Sequence, residues 1–213
     1  MLRIQLKGKM LCIIDYGSGN IGAIANICER ERISYKVTHD YRLFKYATKF
    51  ILPGVGAFDP TIAELRKVGI VQALEDEVFA GGKSLLGICI GMHLLANRSD
   101  EGALQGLGWI AGEVIKIDKT KISRRPYLPH MGWNNISSEL DDPILDGIDK
   151  SRGFYFLHSY YFRARQDSNV VATVEYGDQL PCIVRQGKIV GAQFHPEKSH
   201  SNGIQFIKNF VKF

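Results

Sequence analysis

The chain has 213 residues, 45% hydrophobic and 23% charged, with a formal net charge of +5 at pH 7, which suits one globular domain with a sizeable core. No apolar run reaches the roughly 18–20 residues of a membrane span, the start MLRIQLKGKM lacks the apolar centre of a secretory signal, and four widely spaced cysteines without a CxxC pair suit free thiols in a reducing cytoplasm rather than disulfides or zinc. The densest basic cluster, KTKISRR (119–125), has no nucleic-acid motif and no interleaved aromatics, so it reads as a solvated loop or docking face.

Residues 1–9 read as an N-terminal extension ahead of one domain spanning 10–213. MLCIIDY (10–16) is a short β-branched apolar run, broken by GSGN (17–20) and followed by helical spacing over 21–31. YKVTH (35–39) and KFILPG (49–54) predict two more strands. Residues 59–79 predict a helix in two parts, broken near Gly69. KSLLGIC (83–89) is apolar throughout, as in a strand buried on both faces. MHLLANR (92–98) starts the next helix. Short β-like runs follow at 109–117, 154–164, 170–176, 181–186 and 188–194, and a helix closes the chain at 203–213. The predicted fold is α/β: a mostly parallel central sheet with helices on both faces and added antiparallel strands.

GICIG (87–91) places Cys89 between two glycines where a strand should turn into a helix. Such a corner lifts a reactive side chain clear of the sheet, and the glycines permit strained backbone and close packing. The helix start favours a thiolate, and the Ile90 amide would stand where an oxyanion forms. Flanking glycines alone equally suit a buried cysteine at a tight turn. A nucleophilic thiolate also needs a base held by a third group. In QFHPEKS (193–199), His195 and Glu197 are two apart, so an extended segment would point both the same way, with Pro196 preventing a helix. LPGVGAF (52–58) follows the third strand, and small residues at Gly54 and Gly56 leave the amide of Val55 or Gly56 as a second oxyanion donor.

PGVGAFD, GICIGMHLL and QFHPEKS together resemble the class I (triad) glutamine amidotransferases over nearly the whole chain from Met10. The resemblance implies a flavodoxin-like core and puts the catalytic cysteine, histidine and glutamate on Cys89, His195 and Glu197. IIDYGSGN (13–20), LPHMGWN (128–134) and FYFLHSYYF (154–162) are similar to the glutaminase subunits of imidazole glycerol phosphate synthases. In that family a glutaminase docks on a separate (βα)8-barrel cyclase, which receives the ammonia for histidine biosynthesis.

The resemblance further implies that Glu101 grips the α-amino group of L-glutamine and the Ser159–Tyr160 backbone its carboxylate. His93 stands where the family usually has a substrate-touching glutamine. Lys198, His130 and Trp133 are expected at the interface with the cyclase, in a heterodimer. The chemistry implied uses no cofactor and no metal, and neither nucleic acid nor a membrane is an expected partner. Two other readings are open: a paralogous subunit supplying ammonia for amino-sugar modification, and a stand-alone cysteine hydrolase of γ-glutamyl bonds.

Overall fold

A computed structural model describes residues 10–123 and 128–213. The expected extension over 1–9, and Arg124 and Arg125 of the basic cluster, lie outside the described residues.

In chain order the strands and α-helices are β1 (Leu11–Ile14), α1 (Ile21–Arg30), β2 (Tyr35–Thr38), β3 (Lys49–Leu52), α2 (Phe58–Lys67), α3 (Ile70–Glu75), β4 (Ser84–Ile88), α4 (Ile90–Leu94), β5 (Arg98–Ser99), β6 (Gly112–Lys116), β7 (His130–Asn134), β8 (Ile136–Ser137), β9 (Phe154–His158), β10 (Tyr160–Ala164), β11 (Val170–Glu175), β12 (Gln179–Gln186), β13 (Ile189–Ala192) and α5 (His200–Lys212). The main sheet runs β2-β1-β3-β4-β13-β12-β11-β8. Its first five strands are parallel. β12, β11 and β8 extend it antiparallel.

Every residue of β1, β3, β4 and β13 is buried. Successive strand residues point to opposite faces, so both faces of this central part are covered, as the continuous apolar runs predict. Because these four strands are neighbours and parallel, the loops that follow them emerge along one edge, where open α/β sheets carry their sites. The helix over 59–79 breaks as expected: Gly69 takes a left-handed φ of 74° that ends α2 and starts α3, with a π-helical turn over Asp76–Ala80 behind it.

The structure departs from the expectation at several elements. β13 joins β4 in parallel, because its partner is the central strand rather than a hairpin neighbour alone. The run 154–164 is two strands, split at Ser159: β9 pairs with β7, and β10 pairs with β6 in another small sheet. The helix expected to start with MHLLANR (92–98) starts at Ile90 and ends at Leu94.

An aromatic cluster fastens the end of β13 to its surroundings. Phe194 stacks on Phe154 at 3.9 Å between centroids and meets Phe206 of α5 at 5.0 Å and Phe156 at 5.9 Å. Asn202 of α5 donates to the carbonyls of Asp149 at 2.9 Å and Gly153 at 3.0 Å, which fixes the helix against the segment ahead of β9.

Two glycines with opposite roles test this packing. A Cβ on Gly91 would stand 2.0 Å from the Leu52 carbonyl oxygen, while one on Gly22 in α1 meets nothing within 4 Å. Gly91→Ala is expected to destabilise by about 2 kcal/mol or more. Gly22→Ala is expected to stabilise by about 0.5–1 kcal/mol, because the unfolded chain loses freedom. Urea unfolding with an unchanged slope checks both signs.

Candidate active site

Cys89 is the hinge between β4 and α4, with φ 54° and ψ −109°. Its N–H donates to the Ala192 carbonyl at 2.8 Å, and its own carbonyl accepts from Met92 at 3.0 Å and His93 at 3.1 Å. Those bonds tie the strained residue to β13 on one side and to α4 on the other. Strand and helix meet so closely that a Cβ on Gly87 would sit 2.5 Å from the Gly91 oxygen. Ile90 opens α4, so its N–H is among the donors a helix leaves unpaired at its start, one residue from the sulfur.

His195 follows β13, the neighbour of β4. Its N–H donates to the Tyr155 carbonyl at 2.9 Å, and its carbonyl accepts from Ser199 Oγ at 2.6 Å. Its Nδ1 donates to Glu197 Oε1 at 2.9 Å, with the two side chains 4% and 2% exposed. Burial by itself lowers the imidazole pKa, but hydrogen bonds to Cys89 and Glu197, and the charge on each, outweigh it and raise it to about 10. The ring therefore holds its proton at neutral pH, and a cation beside a thiol favours the thiolate. The route from His195 to Glu197 differs from the expected extended segment. Residues Pro196–Lys198 form a 3₁₀ turn with the proline at its first position, where a missing N–H costs nothing. Glu197 reaches the ring across that turn.

The loop after β3 lies against this corner. A Cβ on Gly54 would be 2.7 Å from the Gly91 nitrogen and 2.9 Å from Ile90 Cβ. Gly56 adopts φ 105°. The Val55 N–H donates to Ser18 Oγ at 3.4 Å, and the same hydroxyl donates to the Val55 carbonyl at 2.7 Å, so in this conformation the Val55 amide serves Ser18. Tyr16 donates to the Pro53 carbonyl at 2.5 Å. Tyr16, Ser18 and Gln193 were not singled out from the sequence. The only signal for Gln193 is its place two residues before His195.

Of the expected substrate contacts, Glu101 accepts from the Phe58 N–H at 3.1 Å, at the start of α2; burial raises its pKa, the Phe58 bond opposes this and Asp59 adds to it. The Ser159 carbonyl accepts from Ile117 at 3.0 Å and the Tyr160 carbonyl from His158 Nδ1 at 2.8 Å. His93 is buried, with Nε2 2.7 Å from Gln193 Oε1, and burial lowers its pKa to about 4 against the opposing Gln193 bond.

The expected interface residues divide. Trp133 is 47% exposed, and Lys198 Nζ sits 5.5 Å from the Tyr155 ring centroid. His130 is 3% exposed and lies beneath that face, stacked between Phe156 and Tyr176 and paired with His158 at 3.0 Å. The alternation of β7 explains this: neighbouring residues point to opposite sides, and His130 points inward.

The remaining cysteines are free and buried, and burial pushes Cys12 up to about 12, Cys28 up to about 11, and Cys182 upward as well. Among the described residues no group of three or more His, Cys, Asp or Glu side chains could hold a metal ion.

The His195 balance yields a signed prediction. Removing a partner that raises its pKa leaves burial, which lowers it. In both Cys89→Ala and Glu197→Gln, the His195 imidazole is expected to titrate below its position near 10, by at least about one unit. Ring-nitrogen NMR measures this, and an unmoved titration contradicts the assigned partners.

A family model for glutamine amidotransferase class-I matches residues 12–213. Over 203 residues the chain is 41% identical to imidazole glycerol phosphate synthase subunit HisH 2 of Methanococcus maripaludis, covering 95% of this chain and 99% of that one. It is 42% identical over 201 residues to imidazole glycerol phosphate synthase subunit HisH of Bdellovibrio bacteriovorus, covering 94% and 98%. Among solved structures, a glutamine amidotransferase aligns with a TM-score of 0.71 at 21% identity, covering 94% of this chain and 97% of that one, a likeness of fold. With a family model spanning nearly its whole length and full-length relatives at this level of identity, the chain belongs to the class I glutamine amidotransferase family.

Proposed function

We propose that residues 10–213 form one amidotransferase domain that hydrolyses L-glutamine to glutamate and ammonia, as the glutaminase subunit of an imidazole glycerol phosphate synthase working in the cytoplasm. One imidazole carries the reading: His195 pairs with Glu197 at 2.9 Å and its proton is held by the charges of both Glu197 and Cys89, in a chain whose full-length relatives carry that name.

The Cys89 thiolate attacks the side-chain carbonyl carbon of glutamine. The electron pair moves to oxygen, which the Ile90 amide and a loop amide at Val55 or Gly56 stabilise. His195 gives its proton to the amide nitrogen, the C–N bond breaks and ammonia leaves a γ-glutamyl thioester. The neutral ring then takes a proton from water, whose oxygen attacks the thioester. Collapse breaks the C–S bond and expels the thiolate, the new γ-carboxyl of glutamate gives its proton to solvent, and His195 keeps the proton it took, so the charged pair is restored. Glu197 holds the ring's orientation and stabilises its charged form. Because Ser18 occupies the Val55 amide in the resting loop, a donor there requires the loop to turn. Glu101 would take the α-ammonium, whose charge draws the buried carboxyl back towards its ionised form. The Ser159–Tyr160 backbone would take the carboxylate. Both assignments extend the family resemblance to these positions.

A docked cyclase follows from the product. Ammonia is mostly protonated in water at neutral pH, so a synthase that uses it as a nucleophile must confine it. On β7 and β9, Met131 pairs with Leu157 and Trp133 with Tyr155, which puts four large side chains on the outward face, with Lys198 beside them. Met131 is 60% exposed, a cost that a partner would remove.

The full chain alone is expected to hydrolyse glutamine slowly, and a barrel cyclase with its nucleotide substrate to raise the rate at least about tenfold; Cys89→Ala is expected to abolish both rates. Trp133→Ala is expected to weaken cyclase binding by about 1–3 kcal/mol with the site chemistry intact. Equal rates with and without the cyclase would overturn the synthase assignment, and residual turnover in Cys89→Ala would overturn the nucleophile.

A further inference from the structure

The reaction as written leaves two buried polar side chains beside the sulfur without a part. Gln193 is fully buried, two residues before His195. His93 is buried in α4, four residues after Cys89, so it lies one turn further along the same helical face. Gln193 Nε2 donates towards Cys89 Sγ at 4.0 Å, at the long end of bonding to sulfur. Gln193 Oε1 lies 2.7 Å from His93 Nε2.

Proton bookkeeping fixes the direction of this chain. An amide oxygen only accepts, so the proton of the His93–Gln193 bond sits on His93 Nε2. The ring is neutral, since burial lowers its pKa to about 4, so its Nδ1 is a bare acceptor; that atom has no hydrogen-bond partner. With Oε1 held by His93, the Gln193 amide can present only its N–H side to the sulfur. Turned over, it would place an acceptor oxygen against a thiolate, which is repulsive. Backbone contacts hold the glutamine in place: its N–H donates to the Cys182 carbonyl at 2.8 Å, and the carbonyl of the preceding Ala192 accepts the Cys89 N–H at 2.8 Å.

We propose that Gln193 is a further catalytic residue, an amide donor that stabilises the Cys89 thiolate alongside His195, and that His93 is a positioning residue that sets which end of that amide meets the sulfur. This rests on Cys89 being the nucleophile. It gives His93 a role beneath the nucleophile instead of a direct contact with glutamine. It also accounts for a neutral ring there: a cation would compete with His195 for the sulfur's charge.

The titratable groups around the sulfur are His195 and Glu197 from the segment after β13, Tyr16 from the loop after β1, and His93 from α4, with His158 of β9 close to both His93 and His195. Burial raises Tyr16 and lowers His93 and His158, so these three stay neutral across the working range. The Cys89–His195 pair then dominates the pH dependence of Cys89 reactivity.

The test is iodoacetamide alkylation of the full chain against pH, read by mass on the Cys89 peptide, with Cys12, Cys28 and Cys182 as internal references. Gln193→Leu and His93→Leu are both expected to move the midpoint of alkylation up by about one unit, which slows alkylation about tenfold at pH values below the wild-type midpoint. His93→Gln, which keeps a donor at this position, is expected to restore the wild-type midpoint. Midpoints shared by wild type, Gln193→Leu and His93→Leu overturn the proposal while leaving the nucleophile intact. A wild-type Cys89 no more reactive than the reference thiols overturns both. Should a leucine variant fail to fold, side-chain amide NMR of the wild type decides: the Gln193 resonances are expected to shift as Cys89 titrates, and resonances that stay still overturn the contact.

Discussion

Cys89 holds a backbone conformation, φ 54° and ψ −109°, that costs an L-residue on the order of 1–3 kcal/mol. Three backbone hydrogen bonds, one to Ala192 and two from Met92 and His93, offset that cost, and they form only because strand and helix approach at glycine distance. The position of the sulfur is thus a consequence of main-chain packing. Gly87 and Gly91 let the helix start directly over the sheet, and Gly54 lets the neighbouring loop close on the same corner. Side chains at those positions would push apart the elements that hold the sulfur in place.

Strand order does the rest. β1, β3, β4 and β13 are adjacent and parallel, so the Tyr16–Ser18 loop, the Pro53–Gly56 loop, Cys89 and His195 emerge side by side from residues far apart in the chain. Electrostatics then separates the buried histidines. Burial drives His93 and His130 down to about 4, and His158 down as well, with nothing strong enough to reverse it. His195 is buried too, yet a sulfur and a carboxylate reverse the balance and raise it to about 10. One charged imidazole among neutral ones is what acyl transfer to a thiolate requires.

Much of this was legible in the sequence. Apolar runs marked β1, β3, β4 and β13, and the glycine frame marked the corner at Cys89. The His195–Glu197 pairing was legible too, though by the wrong local geometry, since proline at the first position of a 3₁₀ turn looks the same in sequence as proline in an extended segment. Burial was not legible: PHMGWN does not say that His130 faces inward while Met131 and Trp133 face out, because that depends on pairing with β9. Nor was the division of 154–164 between two sheets, which only tertiary pairing decides. Gln193 escaped notice because a glutamine beside a histidine carries no signal until the fold brings it to the sulfur and to His93.

The proposed chemistry requires the sulfur of residue 89 to carry the acyl group. Acid-quenching the complex during glutamine turnover and mapping the trapped adduct by mass spectrometry tests it directly. A γ-glutamyl thioester is expected on the peptide containing Cys89. Continued turnover with that peptide unmodified, or an adduct on another residue, would contradict it.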